Sequence, residues 1–238
     1  KGPLSIVKQS MGATGNADFG YFGGGFSSSP KFSTVDRIDY SSDTGTTPTK
    51  GPLSSPRHYI AATGNASFGY FGGGGDPTTS TVDRIDYSND TATAVAKGPL
   101  SVARYGHGAT GNSSFGYFGG GAPSPYTRVD RVDYSNDTAT AVAKGPLSVA
   151  RYLLAATGNS NFGYFGGGFP AKSTVDRIDY SNDTGTTPTK GPLSLARGFM
   201  GATGSADFGY FGGGYSPTIS TVDRIDYSND TATAAAKG

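Results

Sequence analysis

The chain has no cysteine, no tryptophan and no glutamate, and only two histidines and two methionines. Without cysteine it forms no disulfide, no thiolate nucleophile and no cysteine-held metal. A dominant charge is missing too: 19 Lys and Arg against 18 acids leave +1. No global field therefore draws the chain to nucleic acid or to an anionic bilayer. No apolar run approaches the ~20 residues of a membrane-spanning helix, and no signal-peptide pattern opens the sequence. We expect neither a nucleic-acid nor a membrane partner.

What is plentiful is glycine, 39 residues, with 15 Tyr and 14 Phe, in a chain of 238 residues that is 34% hydrophobic. Aromatics favour strands and glycines favour turns, so the mix points to a turn-rich all-β protein. Lys-Gly-Pro-Leu-Ser starts at Lys1, Lys50, Lys97, Lys144 and Lys190, and Lys237-Gly238 reads as the start of a further copy. A period of about 47 residues with several short strand patterns per copy is the signature of one four-stranded propeller blade per repeat. The expected fold is an all-β five-bladed β-propeller with four antiparallel strands per blade. It is read as a single domain over 1–238, with blades near 1–49, 50–96, 97–143, 144–189 and 190–238.

In the third copy the strands are expected at 105–111, 115–119, 128–134 and 138–143. The last of them takes Pro48 and Pro188 in two other copies, and proline belongs on an edge. The order Arg-x-x-x-x-Ala, aromatic-Gly-Gly and Val-Asp-x-x-Asp-Tyr resembles the kelch repeat. Its glycine pair is matched by Gly23-Gly24, Gly72-Gly73, Gly119-Gly120, Gly166-Gly167 and Gly212-Gly213. Its tyrosine is matched by Tyr40, Tyr87, Tyr134, Tyr180 and Tyr227, while the later kelch tryptophan is absent. Tyr-Ser-Asn-Asp-Thr-Ala-Thr-Ala with Phe-Gly-Tyr-Phe-Gly-Gly-Gly is also similar to repeats in structural proteins of marine bacteriophages, which implies a virion-associated role.

The copies differ in two places. All length variation lies between the second and third strands, at 26–34, 75–81, 122–128, 169–174 and 215–221. The other variable stretch follows the basic residue before the first strand: Gln9-Ser10-Met11, His58-Tyr59-Ile60, Tyr105-Gly106-His107, Tyr152-Leu153-Leu154 and Gly198-Phe199-Met200. In an up-and-down blade both stretches belong to one end, so they are expected to crowd one face. Variable loops on a rigid scaffold are where recognition usually sits. The candidate ligand-binding residues are Lys8, Gln9, Met11, Arg57, His58, Tyr59, Arg104, Tyr105, His107, Tyr126, Arg151, Tyr152, Phe169, Arg197, Phe199 and Tyr215. Among them Lys8, Arg57, Arg104, Arg151 and Arg197 supply one cation per blade, either hydrogen-bonded to loop carbonyls or open to a carboxylate-bearing ligand.

Fifteen of the aspartates come three per repeat. Such repetition suits framework charge pairs better than an asymmetric catalytic acid and base. Two histidines are too few for a metal centre without cysteine, and the Asp86-Tyr87-Ser88-Asn89-Asp90 turn lacks the Gly and Glu of a calcium loop. We therefore expect no enzyme activity, no metal and no cofactor. The expectation is a monomeric binding module, for a glycan or a protein at a cell surface. The alternative is a structural spacer.

Overall fold

The computed structural model describes residues 1–28, 30–124, 126–215 and 218–237. The chain forms five sheets of four antiparallel strands, one per repeat, the blades of a five-bladed β-propeller. Sheet one contains β1 (Gly12–Gly15), β2 (Phe19–Gly23), β3 (Val35–Asp39) and β4 (Thr49–Lys50). Sheet two contains β5 (Ala61–Gly64), β6 (Phe68–Gly72), β7 (Val82–Asp86) and β8 (Val95–Lys97). Sheet three contains β9 (Gly108–Gly111), β10 (Phe115–Gly119), β11 (Val129–Asp133) and β12 (Val142–Lys144). Sheet four contains β13 (Ala155–Gly158), β14 (Phe162–Gly166), β15 (Val175–Asp179) and β16 (Thr189–Lys190). Sheet five contains β17 (Gly201–Gly204), β18 (Phe208–Gly212), β19 (Val222–Asp226) and β20 (Ala235–Ala236). Strand order in space follows order in sequence in every sheet.

The chain divides into two compact units, Lys1–Tyr105 with Ser113–Gly116 and Val132–Val142, and Gly106–Asn112 with Tyr117–Arg131 and Ala143–Gly238. In the first unit β1 lies against β5, and in the second β13 lies against β9 and β17, so the first strands of successive blades meet.

The Phe-Gly-Tyr-Phe-Gly motif is explained by burial on both faces. Tyr70 and Phe71 are consecutive, so they point to opposite sides of the sheet, yet both are fully buried. The Tyr70 ring stacks on Tyr134 of the following blade at 4.6 Å. Phe71 faces the preceding blade and fills the space above Gly23, where a Cβ would sit 2.7 Å from the ring. Phe165 occupies Gly119 in the same way.

Four blade junctions repeat one polar anchor. In the first unit the Tyr21 hydroxyl donates to Asp90 (2.9 Å), as do Arg37 (2.8 Å) and Lys50 (3.2 Å). Asp137 receives Tyr70, Arg84 and Lys97. In the second unit Asp183 receives Tyr117, Arg131 and Lys144, and Asp230 receives Tyr164, Arg177 and Lys190. Charge pairing between blades is thus made, in four repeats, by the third aspartate with the arginine that follows the first aspartate of the preceding repeat. The second caps a turn: Asp86 accepts from the Ser88 backbone N–H (2.9 Å) and hydroxyl (2.6 Å).

Three strands of blade three are shorter than the sequence suggests, the third spanning only Val129–Asp133. The fourth strand of blade three starts at Val142, because residues before it form a turn in which the Ala139 N–H bonds the Asn136 carbonyl. Pro48 and Pro188 stand where Val95 and Val142 start their strands, and β4 and β16 accordingly begin one residue later. Proline has no N–H for the ladder. The first strand of blade three also starts late, at Gly108, since Tyr105-Gly106-His107 turns away from the sheet.

Candidate functional site

The two variable stretches of a repeat are brought together by isolated bridges. Gln9 pairs with Phe26, His58 with Gly75, Tyr152 with Phe169 and Gly198 with Tyr215. Tyr126 pairs with Arg151 of the following repeat.

Behind these stretches lie the basic residues, buried instead of open. Lys8 pairs with Asp36 at 2.9 Å, and Arg57, Arg151 and Arg197 pair with Asp83, Asp176 and Asp223 at 2.8 Å each. Arg104 is buried to the same degree. Arg57 and Arg151 also donate to the carbonyls of Phe71 and Phe165. Burial pushes the Arg57 and Arg151 pKa values down, and Asp83 and Asp176 oppose it. In these four cases the first aspartate therefore belongs to the same repeat as the cation it neutralises. The open cation ring considered from the sequence is not what these four pairs present: a ligand carboxylate would have to displace a buried aspartate.

The middle residue of each variable triplet is left-handed: Ser10, Tyr59, Gly106, Leu153 and Phe199 have φ of 58°, 52°, 63°, 53° and 58°. This conformation is costly for side chains other than glycine. For three of them the neighbouring blade accounts for it. Tyr59 N–H donates to the Ser10 carbonyl (2.8 Å) in the first unit. In the second, Leu153 N–H donates to Gly106 (2.5 Å) and Phe199 N–H to Leu153 (2.9 Å). The turned backbone links blades and projects the middle side chain away from the sheet.

Aromatic side chains from the variable stretches then meet. In the first unit Phe26 and Tyr59 each lie 4.8 Å from His58, and Tyr59 lies 5.9 Å from Tyr105. In the second unit Tyr152 meets Phe169 at 5.8 Å and Phe199 meets Tyr215 edge-on at 6.3 Å. Phe199 is 49% exposed and Tyr215 56%; Tyr59, Tyr105, Tyr126, Tyr152 and Phe169 are half-buried. A cleft of about 360 Å³ opens in the second unit beside Tyr126, lined also by Arg128, Lys144 and Pro146. Arg128 replaces the threonine found at this place in the other copies.

No family model matches the chain, and no curated protein matches it.

The structure sorts the sequence candidates by triplet position. Met11 and His107 occupy the third position, which turns inward: His107 is only 5% exposed and its ring lies 5.8 Å from Phe118. It lines the interior, and its expected place on the variable surface is corrected by the same left-handed turn that projects the residue before it. Gln9 is exposed and His58 half-buried. Burial lowers the His58 pKa, Asp76 raises it and Lys31 lowers it, for a net downward shift. The sequence candidates omitted Phe26 and Arg128. Phe26 was visible as the aromatic opening the first variable loop, and Arg128 as the one basic residue among threonines.

Proposed function

We propose that this chain is a non-catalytic recognition module, built on kelch-like blades, that binds carbohydrate through the aromatic side chains of its variable stretches. The observation that carries this reading is the Phe26–His58–Tyr59–Tyr105 cluster, assembled from three different repeats. Rings held at a partly open surface stack on the apolar faces of sugars while their polar tips reach hydroxyls. Uniform turns elsewhere on the blades serve the scaffold; the loops after the second strand vary in length and side chain, and the triplets in side chain. A glycan array with the intact chain, repeated with Tyr59→Ala and Tyr105→Ala, tests the proposal. Selective binding that these substitutions abolish supports it. Absence of any selective binding, or binding unchanged by both substitutions, overturns it and favours a spacer.

A further inference from the structure

Three clefts of one construction open beside the turns that follow the first and third strands. In the first unit Asn16, Phe68, Asp86 and Ser88 line a cleft of about 440 Å³. In the second unit Asn112, Phe162, Asp179 and Ser181 line one of about 380 Å³. There too, Asn159, Phe208, Asp226 and Ser228 line another of about 420 Å³. Each cleft takes this asparagine from one repeat and the phenylalanine, aspartate and serine from the next. Volumes of this order are those of small-molecule sites.

Turn closure alone does not account for the aspartate in these clefts. Both bonds from Ser88 fall on Oδ1 of Asp86, and the same holds for Ser181 on Asp179 and for Ser228 on Asp226. One acceptor oxygen suffices for such a cap, and serine or asparagine supplies it as well. The turn after the first strand uses that freedom: Asn16, Asn65, Asn112 and Asn159 give way to Ser205. The turn after the third strand does not, since all five repeats place an aspartate there, at Asp39, Asp86, Asp133, Asp179 and Asp226. In the three clefts the serine hydroxyl is the chief cause that holds this carboxyl below the usual carboxylate range. Each is therefore an anion at neutral pH, and each is only half-buried.

We infer that these clefts are repeated sites for neutral sugars, separate from the aromatic cluster of the variable stretches. Charge decides the class. An acidic sugar would meet the carboxylate of Asp86, Asp179 or Asp226 at short range. A cationic ligand would meet like charge at the aromatic wall, because Arg84, Arg177 and Arg224 stand over the Phe68, Phe162 and Phe208 rings at 4.3, 4.4 and 4.4 Å. Hydroxyl groups suit both walls. Neighbouring sugar hydroxyls donate to the carboxylate, the serine hydroxyl gives or takes one more bond, and the half-buried phenylalanine packs against the sugar's C–H groups. One such contact is weak, and repetition along the chain turns it into avidity for a surface that displays the same sugar many times.

Titration calorimetry and ligand-observed NMR on the intact chain, with methyl glucoside, methyl galactoside, N-acetylglucosamine and glucuronate, test the inference. Expected is a neutral sugar bound at three or more sites per chain, with glucuronate bound about tenfold more weakly or not at all. Asp86→Asn keeps an oxygen for the Ser88 cap and removes the charge. It should weaken its site about tenfold and lower the count by one, as should Asp179→Asn and Asp226→Asn. No binding of any of the neutral sugars overturns the inference, as does a single site, glucuronate bound as tightly, or a count that ignores all three substitutions. The count on the unsubstituted chain stands whatever the variants do to folding. Binding that disappears in Tyr59→Ala belongs to the variable stretches and overturns this inference while leaving the proposed function intact.

Discussion

At one end of the blades Asn65 accepts hydrogen bonds from the backbone N–H groups of Ser67 and Phe68, and Asn159 does the same for Asn161 and Phe162. At the other end the backbone connection repeats while the side chains on it change: Phe26 bridges Gln9, Gly75 bridges His58, Phe169 bridges Tyr152 and Tyr215 bridges Gly198. The first end is closed by side chains that imitate backbone, and a replacement has to keep an acceptor there, as Ser205 does for the Asp207 and Phe208 N–H groups. The second end is held by backbone bonds beneath, through the left-handed turns, and its side chains are left to vary. Constancy and variation along this sequence thus follow which part of each residue carries the connection.

The strongest way to break that contrast is at a junction aspartate. Asp137→Ala leaves Arg84 and Lys97 partly buried without a counter-charge and removes the Tyr70 acceptor. A loss of about 3–5 kcal/mol is expected in chemical denaturation. Asp76→Ala, in a variable loop, breaks the pair with Lys31 at an exposed aspartate, and should cost less than about 1 kcal/mol. Equal losses would erase the distinction between the two ends.

Binding should show the reverse order. If the aromatic cluster holds the ligand, Tyr59→Ala lowers affinity by about thirtyfold, a hot-spot loss of roughly 2 kcal/mol, read by titration calorimetry. The Asp76 substitution leaves the cluster rings in place and should change affinity little.

Acid sharpens the comparison further. Burial raises the Asp90 and Asp230 pKa values, but hydrogen bonds and charges from Tyr21, Lys50 and Arg37, and from Lys190, Tyr164 and Arg177, outweigh it, so both fall below the ordinary value. A depressed folded-state value means stability is fully present above the unfolded value, about 3.9, and is lost as pH falls through the folded one. His58 is depressed as well, chiefly by burial, so its contribution is present above about pH 6.5 and fades below it. Denaturation at stepped pH should therefore show a small decline removed by His58→Gln, then a larger one that this substitution does not touch.

The smallest effect is expected at Ser10, left-handed at φ 58°. Ser10→Gly relieves a conformational cost of about 1–2 kcal/mol but adds unfolded-state entropy of about 0.5–1 kcal/mol, for a net gain of a few tenths to about 1 kcal/mol in a thermal melt.

The repeat made the five sheets and their strand order legible, because spacing, glycine pairs and the proline-bearing edge all agreed. The variable stretches were legible as partners because strand alternation sends them to one end. The fate of Arg57 was not: sequence shows a basic residue beside a loop, and only the fold puts Asp83 at 2.8 Å from it. The left-handed triplets were hidden for a related reason. Tyr59 and Leu153 carry no local mark of that conformation; Gly106, their counterpart, is the single hint. Their backbone is set by a carbonyl one repeat away, and composition within the triplet does not record it.

The junction anchor has a genetic consequence. Tyrosine, arginine and lysine on one side and aspartate on the other recur unchanged from blade to blade, so nothing in a junction records which blade it joins. An insertion or deletion of one whole repeat would keep the register, and each newcomer would find its neighbours' partners already in place.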